Sequence, residues 1–248
     1  MSPARGTLPP GTSGEQQAAR WVQQMFARIA PTYDVLNHLL SFNIDRRWRK
    51  RLADVLRPIV ERREARVLDL CCGTGDVLLE FQPGAKAQIF GADFCHPMLV
   101  VAQGKLSRGG VPAQLMECDA LALPLSDGAM DAITIAFGFR NLANYAAGLE
   151  ECFRILRPEG MLAILEFSHP RCWAVRTAYG VYSNVLLPLV GALVSGSPRA
   201  YRYLPDSVRR FPEPEALCEM MRSAGFEEVS YQLLSGGIVC LHWGKKLR

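Results

Sequence analysis

Two glycines and three carboxylates carry the clearest chemistry in this 248-residue chain. The run Val67-Leu68-Asp69-Leu70-Cys71-Cys72-Gly73-Thr74-Gly75-Asp76 leads an apolar, β-favouring stretch into a two-glycine turn closed by an acid. Glycine at 73 and 75 admits φ > 0 and lets the main chain approach a ligand closely, as nucleotide-binding strand-to-helix loops require. A dinucleotide fingerprint would place a third glycine where Leu78 stands. The charge of Asp76 suits a cationic amino-acid ligand better than a pyrophosphate. S-adenosyl-L-methionine, with its sulfonium and ammonium, is such a ligand.

The apolar run Ala87 to Asp93 ends in an acid about 20 residues beyond the loop, where a ribose-binding carboxylate sits in such folds. A third run, Ala113 to Cys118, is followed by Asp119. Strands ending one after another in acids line a site along the carboxyl edge of a parallel sheet.

The elements that position these groups alternate. Strands are expected near Ala129 to Ala136 and Met161 to Phe167, and helices near Val77 to Phe81, His96 to Leu106 and Tyr145 to Leu156. That order predicts an α/β, doubly wound, mostly parallel sheet with right-handed crossovers. A helix over Glu213 to Ser223 follows. Glu227 to Leu234 and Ile238 to Gly244 then flank Ser235-Gly236-Gly237, a return that makes the last of seven strands antiparallel.

Ahead of the first strand, residues 1–14 are rich in Pro, Gly, Ser and Thr and are expected to form a flexible tail. A helix over Glu15 to Arg28 and a second helical tract from Leu36 through Leu52, interrupted near Asn43 and ending at Pro58, form a cap over the cofactor mouth. The core domain then spans 59–248, with an insertion over 168–211. In the insertion, Val185 to Val194 is apolar but broken by Pro and Gly, too short for a span and suited to a lid. Arg46-Arg47-Trp48-Arg49-Lys50-Arg51 interleaves bases with an aromatic, which fits a solvated helix face or contact with anionic lipid.

Composition sets outer limits. With 49% apolar and 21% charged side chains, the chain is expected to be a soluble globular protein. Its formal charge of +4 argues against a dedicated nucleic-acid binder. The lack of a long apolar run or signal-peptide core predicts a cytoplasmic protein. The eight cysteines lack a C-x-x-C pair and are expected to be reduced packing residues, with no metal site.

Five further blocks are more specific: Phe26-Ala27-Arg28-Ile29-Ala30-Pro31-Thr32-Tyr33-Asp34-Val35-Leu36-Asn37, Ala136-Phe137-Gly138-Phe139-Arg140-Asn141, Leu165-Glu166-Phe167-Ser168, Tyr201-Arg202-Tyr203-Leu204-Pro205 and Gly236-Gly237-Ile238-Val239. From about Trp21 to Lys246, the chain resembles the ubiquinone/menaquinone biosynthesis C-methyltransferases. The resemblance implies a Rossmann-like methyltransferase fold and methyl transfer from S-adenosyl-L-methionine to a ring carbon of a polyprenylated quinol. The commonest such substrate is demethylmenaquinol, and a benzoquinol precursor of ubiquinone is the alternative.

The resemblance places cofactor contacts at Thr74 in the loop of Gly73, Gly75 and Asp76, at Asp93 on the ribose, and at Asp119 with Ala120 around the adenine. Some members have Ser where this chain has Ala136, so a hydroxyl contact is missing there. It points to Arg140 and Asn141, with Tyr33 from the cap, as the groups acting on the quinol. Losing or sharing the phenolic proton makes the ortho carbon nucleophilic. A guanidinium stays charged, so Arg140 is expected to stabilise the quinol oxygen while Asp34 or a water takes the proton. Bland rivals are a Tyr33–Asp34 turn, an Arg140–Glu166 structural pair and a packed His38. A nicotinamide-dependent oxidoreductase and a non-catalytic cofactor-binding scaffold are the competing classes. Peripheral contact with a membrane surface and a homo-oligomer are admitted.

Overall fold

In the computed structural model, which describes residues 6–81, 85–182 and 198–247, seven strands make one sheet. They are β1 (Arg66–Leu70), β2 (Gln88–Asp93), β3 (Ala113–Glu117), β4 (Met130–Ala136), β5 (Leu156–Phe167), β6 (Glu227–Leu234) and β7 (Val239–Lys246). Their order is β3-β2-β1-β4-β5-β7-β6. The pairs from β3 through β5 are parallel, while β7 runs antiparallel to both neighbours and so sits between β5 and β6. β1 and β4 are apolar nearly throughout because helices cover both faces. The strand order reverses between β1 and β4, and a doubly wound sheet opens its ligand crevice at the carboxyl ends of that pair.

The crossover helices are α4 (Asp76–Phe81), α5 (His96–Gly109) and α6 (Tyr145–Ile155), numbered after three N-terminal helices, α1 (Glu15–Ile29), α2 (Tyr33–Leu40) and α3 (Ile44–Val60). The Asn144 side chain caps α6 by accepting from the Ala147 amide at 3.1 Å. α5 ends at Gly110, in the left-handed region at φ 65°. α7 (Trp173–Val181) and α8 (Pro198–Arg210) lie in the insertion, and α9 (Pro214–Ser223) precedes β6.

The interruption expected near Asn43 divides the tract between Leu36 and Leu52 into two helices. Phe42 and Asn43 both take positive φ, 51° and 58°, which no α-helix continues through. The stop expected at Pro58 falls inside α3, which runs on to Val60 because buried Leu56 and Val60 hold its last turn to the core. Val60 packs in the same apolar cluster as Trp48, Leu52, Val67, Leu165 and Leu241, so α3 covers the sheet. α1 packs through Val22, Met25 and Ile29 on Cys95, Met98 and Tyr203. Within the stretch expected as a tail, the Thr7 amide donates to Leu142 O at 2.8 Å, and its hydroxyl bonds the Tyr203 hydroxyl at 2.8 Å. The apolar run Val185 to Val194 lies outside the described residues.

Candidate active site

The glycine loop leaves β1 at the switch point. Gly73 and Gly75 take φ of 53° and 83°, a region open to glycine at little cost. A Cβ added at Gly73 would meet no atom within 4 Å, so the space above the loop is open to a ligand. Asp93, at the end of β2, accepts from the Gly73 amide through Oδ2 and from the Cys95 amide through Oδ1, both at 2.9 Å. Burial pushes its carboxyl up to about 6 against the opposing pull of these amides. Both oxygens keep a lone pair for a pair of hydroxyls. Asp119 uses one oxygen to accept from the Leu121 amide at 2.9 Å. Gly73, Asp93, Asp119, Ala120, Ala136 and Asn141 line one cleft, with Phe94 and Met98 as apolar walls. Close-approach glycine, a held acid for a ribose and an apolar slot for a base fit S-adenosyl-L-methionine.

Ala19 and Phe26 close the top of this cleft, and Gln23 Nε2 donates to Phe94 O at 2.6 Å, fastening α1 over it. Its volume, about 70 Å³, is below the few hundred Å³ of sites that engulf small organic ligands.

The other loop residues face the cap. Thr74 Oγ1 donates to Asp34 Oδ1 at 2.5 Å, and Lys105 Nζ reaches Asp34 Oδ2 at 2.7 Å and pairs also with Asp76. Arg49 Nη2 lies 3.2 Å from Asp76 Oδ2 and pairs with Asp45. Burial raises the Asp76 carboxyl, but Arg49 and Lys105 outweigh it and hold the group below its usual range. Asp76 is thus neutralised by protein cations, not held open for a ligand's ammonium. His38, Asp45 and Asp76 bring potential metal-ligand atoms within 4.8 Å of one another. Arg49 contacts both carboxylates, putting a cation where a metal would need none.

Beside the cleft lies a cavity of about 470 Å³ with largely apolar walls, including Met25, Ile29, Leu40, Trp48, Phe167 and Ile238. Phe26, Tyr33 and Phe137 border both spaces. Phe137 holds φ at 58°, strained for an aromatic residue, where β4 ends. Arg140 is on the cavity wall and buried. Its Nη1 donates to Glu166 Oε1 at 2.8 Å and to Phe137 O, and its amide donates to Glu166 Oε2 at 3.2 Å. Among the described residues, its Nε is buried with no hydrogen-bond partner. Burial opposes the guanidinium charge, but Glu166, Tyr33 and Tyr203 together more than offset it. The Tyr33 hydroxyl is raised by burial against the pull of Arg140.

The structure therefore brings Tyr33 and Arg140 to the apolar cavity, while Asn141 lines the cofactor cleft and accepts from the Tyr203 hydroxyl at 2.9 Å. Asp34, Thr74, Gly75 and Asp76 line neither space. Asp34 is instead shared between Thr74 and Lys105. The sequence reading missed Lys105, the inward turn of Arg49 and the shared wall at Phe137. Only the apolar spacing of Trp48, Leu52 and Leu56 hinted that Arg49 points inward.

Comparison with known proteins agrees with this geometry. Residues 12–246 match the model of the ubiE/COQ5 methyltransferase family. A demethylmenaquinone methyltransferase of Thermus thermophilus is 50% identical over 225 residues, 90% of this chain and 100% of the relative. One from Deinococcus radiodurans is 43% identical, covering 96% of this chain and 97% of its own length. The ubiquinone/menaquinone biosynthesis C-methyltransferase UbiE of Cronobacter sakazakii is 41% identical over 95% of this chain and 94% of its own. Among solved structures, an S-adenosylmethionine-dependent methyltransferase of Thermotoga maritima superposes with a TM-score of 0.61 at 19% identity, over 90% of this chain and 98% of its own. The [4+2]-cyclase SpnF scores 0.68 at 17% identity, with 98% of each chain covered, so the fold alone does not choose the chemistry. At 39–50% identity over nearly their whole length, the curated relatives do, and the chain belongs to the ubiE/COQ5 methyltransferase family.

Proposed function

We propose that this protein methylates a ring carbon of a polyprenylated quinol, converting demethylmenaquinol to menaquinol, with S-adenosyl-L-methionine as donor. The observation that carries the proposal is the shared wall: a nucleoside cleft and an apolar cavity of about 470 Å³ are separated by Phe26, Tyr33 and Phe137. The cofactor, when bound, supplies an electrophilic methyl group. Asp93 holds the ribose hydroxyls, and Asp119 with Ala120 borders the adenine. The apolar cavity takes the ring and the start of the tail.

Arg140 acts on the quinol oxygen. Glu166 and Phe137 O fix Nη1 of its guanidinium, which leaves the part of the group on the cavity wall to donate to an oxygen whose negative charge grows as the ring carbon is attacked. Tyr33, on the same wall, is kept protonated by its burial and can donate to that oxygen as well. Asn141 and Tyr203 brace the cleft end of the wall. Asp34 joins the cap to the glycine loop.

Two deeper assignments follow. Relatives named for both quinones support a benzoquinol as the second substrate reading. No helix among the described residues is long and apolar enough to cross a membrane, yet a polyprenyl tail resides in the bilayer, so we assign the protein to the membrane surface. Mass spectrometry of quinones from cells lacking the protein tests the substrate: demethylmenaquinone accumulates. Accumulation of a benzoquinone precursor instead supports the second reading, and an unchanged quinone profile rejects both.

A further inference from the structure

We infer that the corner between α2 and α3 is the face that docks on an anionic lipid bilayer, setting the mouth of the quinol cavity against the headgroups. The inference rests on the polyprenylated-quinol reading and adds to it a surface and a partner. Four apolar side chains stand out at this corner: Val35 is 64% exposed, Leu39 52%, Phe42 72% and Ile44 37%. Val35 and Leu39 are one helical turn apart on α2 and share a face. Phe42 and Ile44 are exposed and also line the apolar cavity, so they mark its rim. The positive φ at Phe42 and Asn43 builds the turn that places them there.

Cations complete the surface. Arg46, Arg47 and Lys50 follow within the first turns of α3 and are exposed, while Asp45, Trp48, Arg49 and Leu52 of the same helix are buried. Glu80 feels the charge of Lys50 and Arg46, and among the described residues none of the three cations is in an ion pair. An apolar rim flanked by unpaired cations suits a layer of anionic headgroups over acyl chains. An aqueous environment gives no reason to expose this cluster, because monomeric proteins keep such patches small. The same contact answers how a water-insoluble tail reaches a cavity whose apolar mouth opens here.

Flotation with vesicles of phosphatidylcholine mixed with phosphatidylglycerol, against phosphatidylcholine alone, tests this. The full chain is expected to bind the mixed vesicles, less at high salt, and the neutral ones weakly. Each basic residue near an anionic surface contributes about fivefold in partitioning, so the triple variant R46Q/R47Q/K50Q should bind on the order of 100-fold more weakly. V35S/L39S should lower the salt-resistant part of the binding. None of these five side chains lines either cavity, so methylation of a short-tailed, water-soluble quinol should persist in both variants. That assay separates failure of the docking face from failure of the quinol reading. The inference is overturned if the chain ignores mixed vesicles or if the triple variant binds them as well as the parent. It is also overturned if V35S/L39S turns a dimer into a monomer in sedimentation while vesicle binding is unchanged, which would make this face an interface between copies.

Discussion

Arg140 Nη1 lies 2.8 Å from Glu166 Oε1, and both side chains are buried. The pair that looks structural is also what holds a cation at the cavity wall. Glu166 takes three donors, from Arg140 Nη1 and the amides of Arg140 and Phe167, so the carboxylate orients the guanidinium while lining neither space.

Deleting Arg140 outright would leave Glu166 buried and unpaired, at a cost of about 3–5 kcal/mol in stability. Arg140→Lys is the cleaner variant, because it keeps the charge and loses the fork. Turnover at saturating quinol should fall on the order of 100-fold, while affinity for S-adenosylhomocysteine is unchanged. Near-normal turnover in a folded Lys variant removes the guanidinium from the mechanism.

Asp93, as the proposed ribose ligand, should give the cofactor affinity a pH dependence. Its folded carboxyl sits at about 6, above the ordinary value of 3.8, because burial disfavours the charge. A raised carboxyl contributes to stability below the unfolded pKa, and that contribution is lost as pH rises through about 6. The proposed ribose binding should run the other way, since the ionised form can accept from both hydroxyls. S-adenosylhomocysteine affinity measured by calorimetry should therefore rise between pH 5 and pH 7, and Asp93→Asn should flatten that dependence. Asp93→Ala should lower affinity at neutral pH roughly 10- to 150-fold. A parent protein with flat affinity across this window would show that Asp93 does not carry the ribose.

What the sequence conveys here follows locality. Asp93 and Asp119 could be placed at the cleft because the first ends an apolar strand and the second closely follows the next one. The antiparallel return of the last strand was visible in Ser235-Gly236-Gly237, whose 3₁₀ turn now joins β6 to β7. Its insertion between β5 and β6 was not, since a hairpin does not say which strand meets the sheet. Asp76 was read as a ligand for an ammonium, because Lys105 and Arg49 approach it only in three dimensions, from α5 and α3. Asp34 was offered as proton acceptor on the same grounds, and Lys105 claims it too. The helix break expected near Asn43 is present, with Asn43 in the left-handed region between α2 and α3.

Lys105 should act as a latch between cap and core. Its ammonium joins Asp34 of α2 to Asp76 of α4 in a half-buried setting. Lys105→Met removes hydrogen bonds to charged groups worth about 2 kcal/mol each before solvent screening. The expected outcome is faster amide exchange across α2 and the glycine loop, a lower melting temperature and weaker S-adenosylhomocysteine binding. Unchanged exchange in α2 would mean that the cap is held by its apolar contacts alone.

Tyr33 separates binding from chemistry. Tyr33→Phe keeps the ring that borders both spaces and removes the hydroxyl whose proton burial retains. Turnover should fall by roughly 10-fold or more, as for loss of one donor to a developing charge, with little change in cofactor affinity. A variant with full turnover would assign Tyr33 to packing against Phe26, whose ring lies 5.9 Å away edge-on.

The central claim, that the two cavities meet so that a methyl group passes to a ring carbon, is tested most directly by product analysis. The purified protein is incubated with S-adenosylmethionine carrying a deuterated methyl group and with chemically reduced demethylmenaquinone, and the product is examined by mass spectrometry and NMR. One labelled methyl on a ring carbon, with loss of the ring hydrogen it replaces, is the expected result. A labelled methyl ether on the quinol oxygen, or no transfer while the cofactor still binds, would contradict the account.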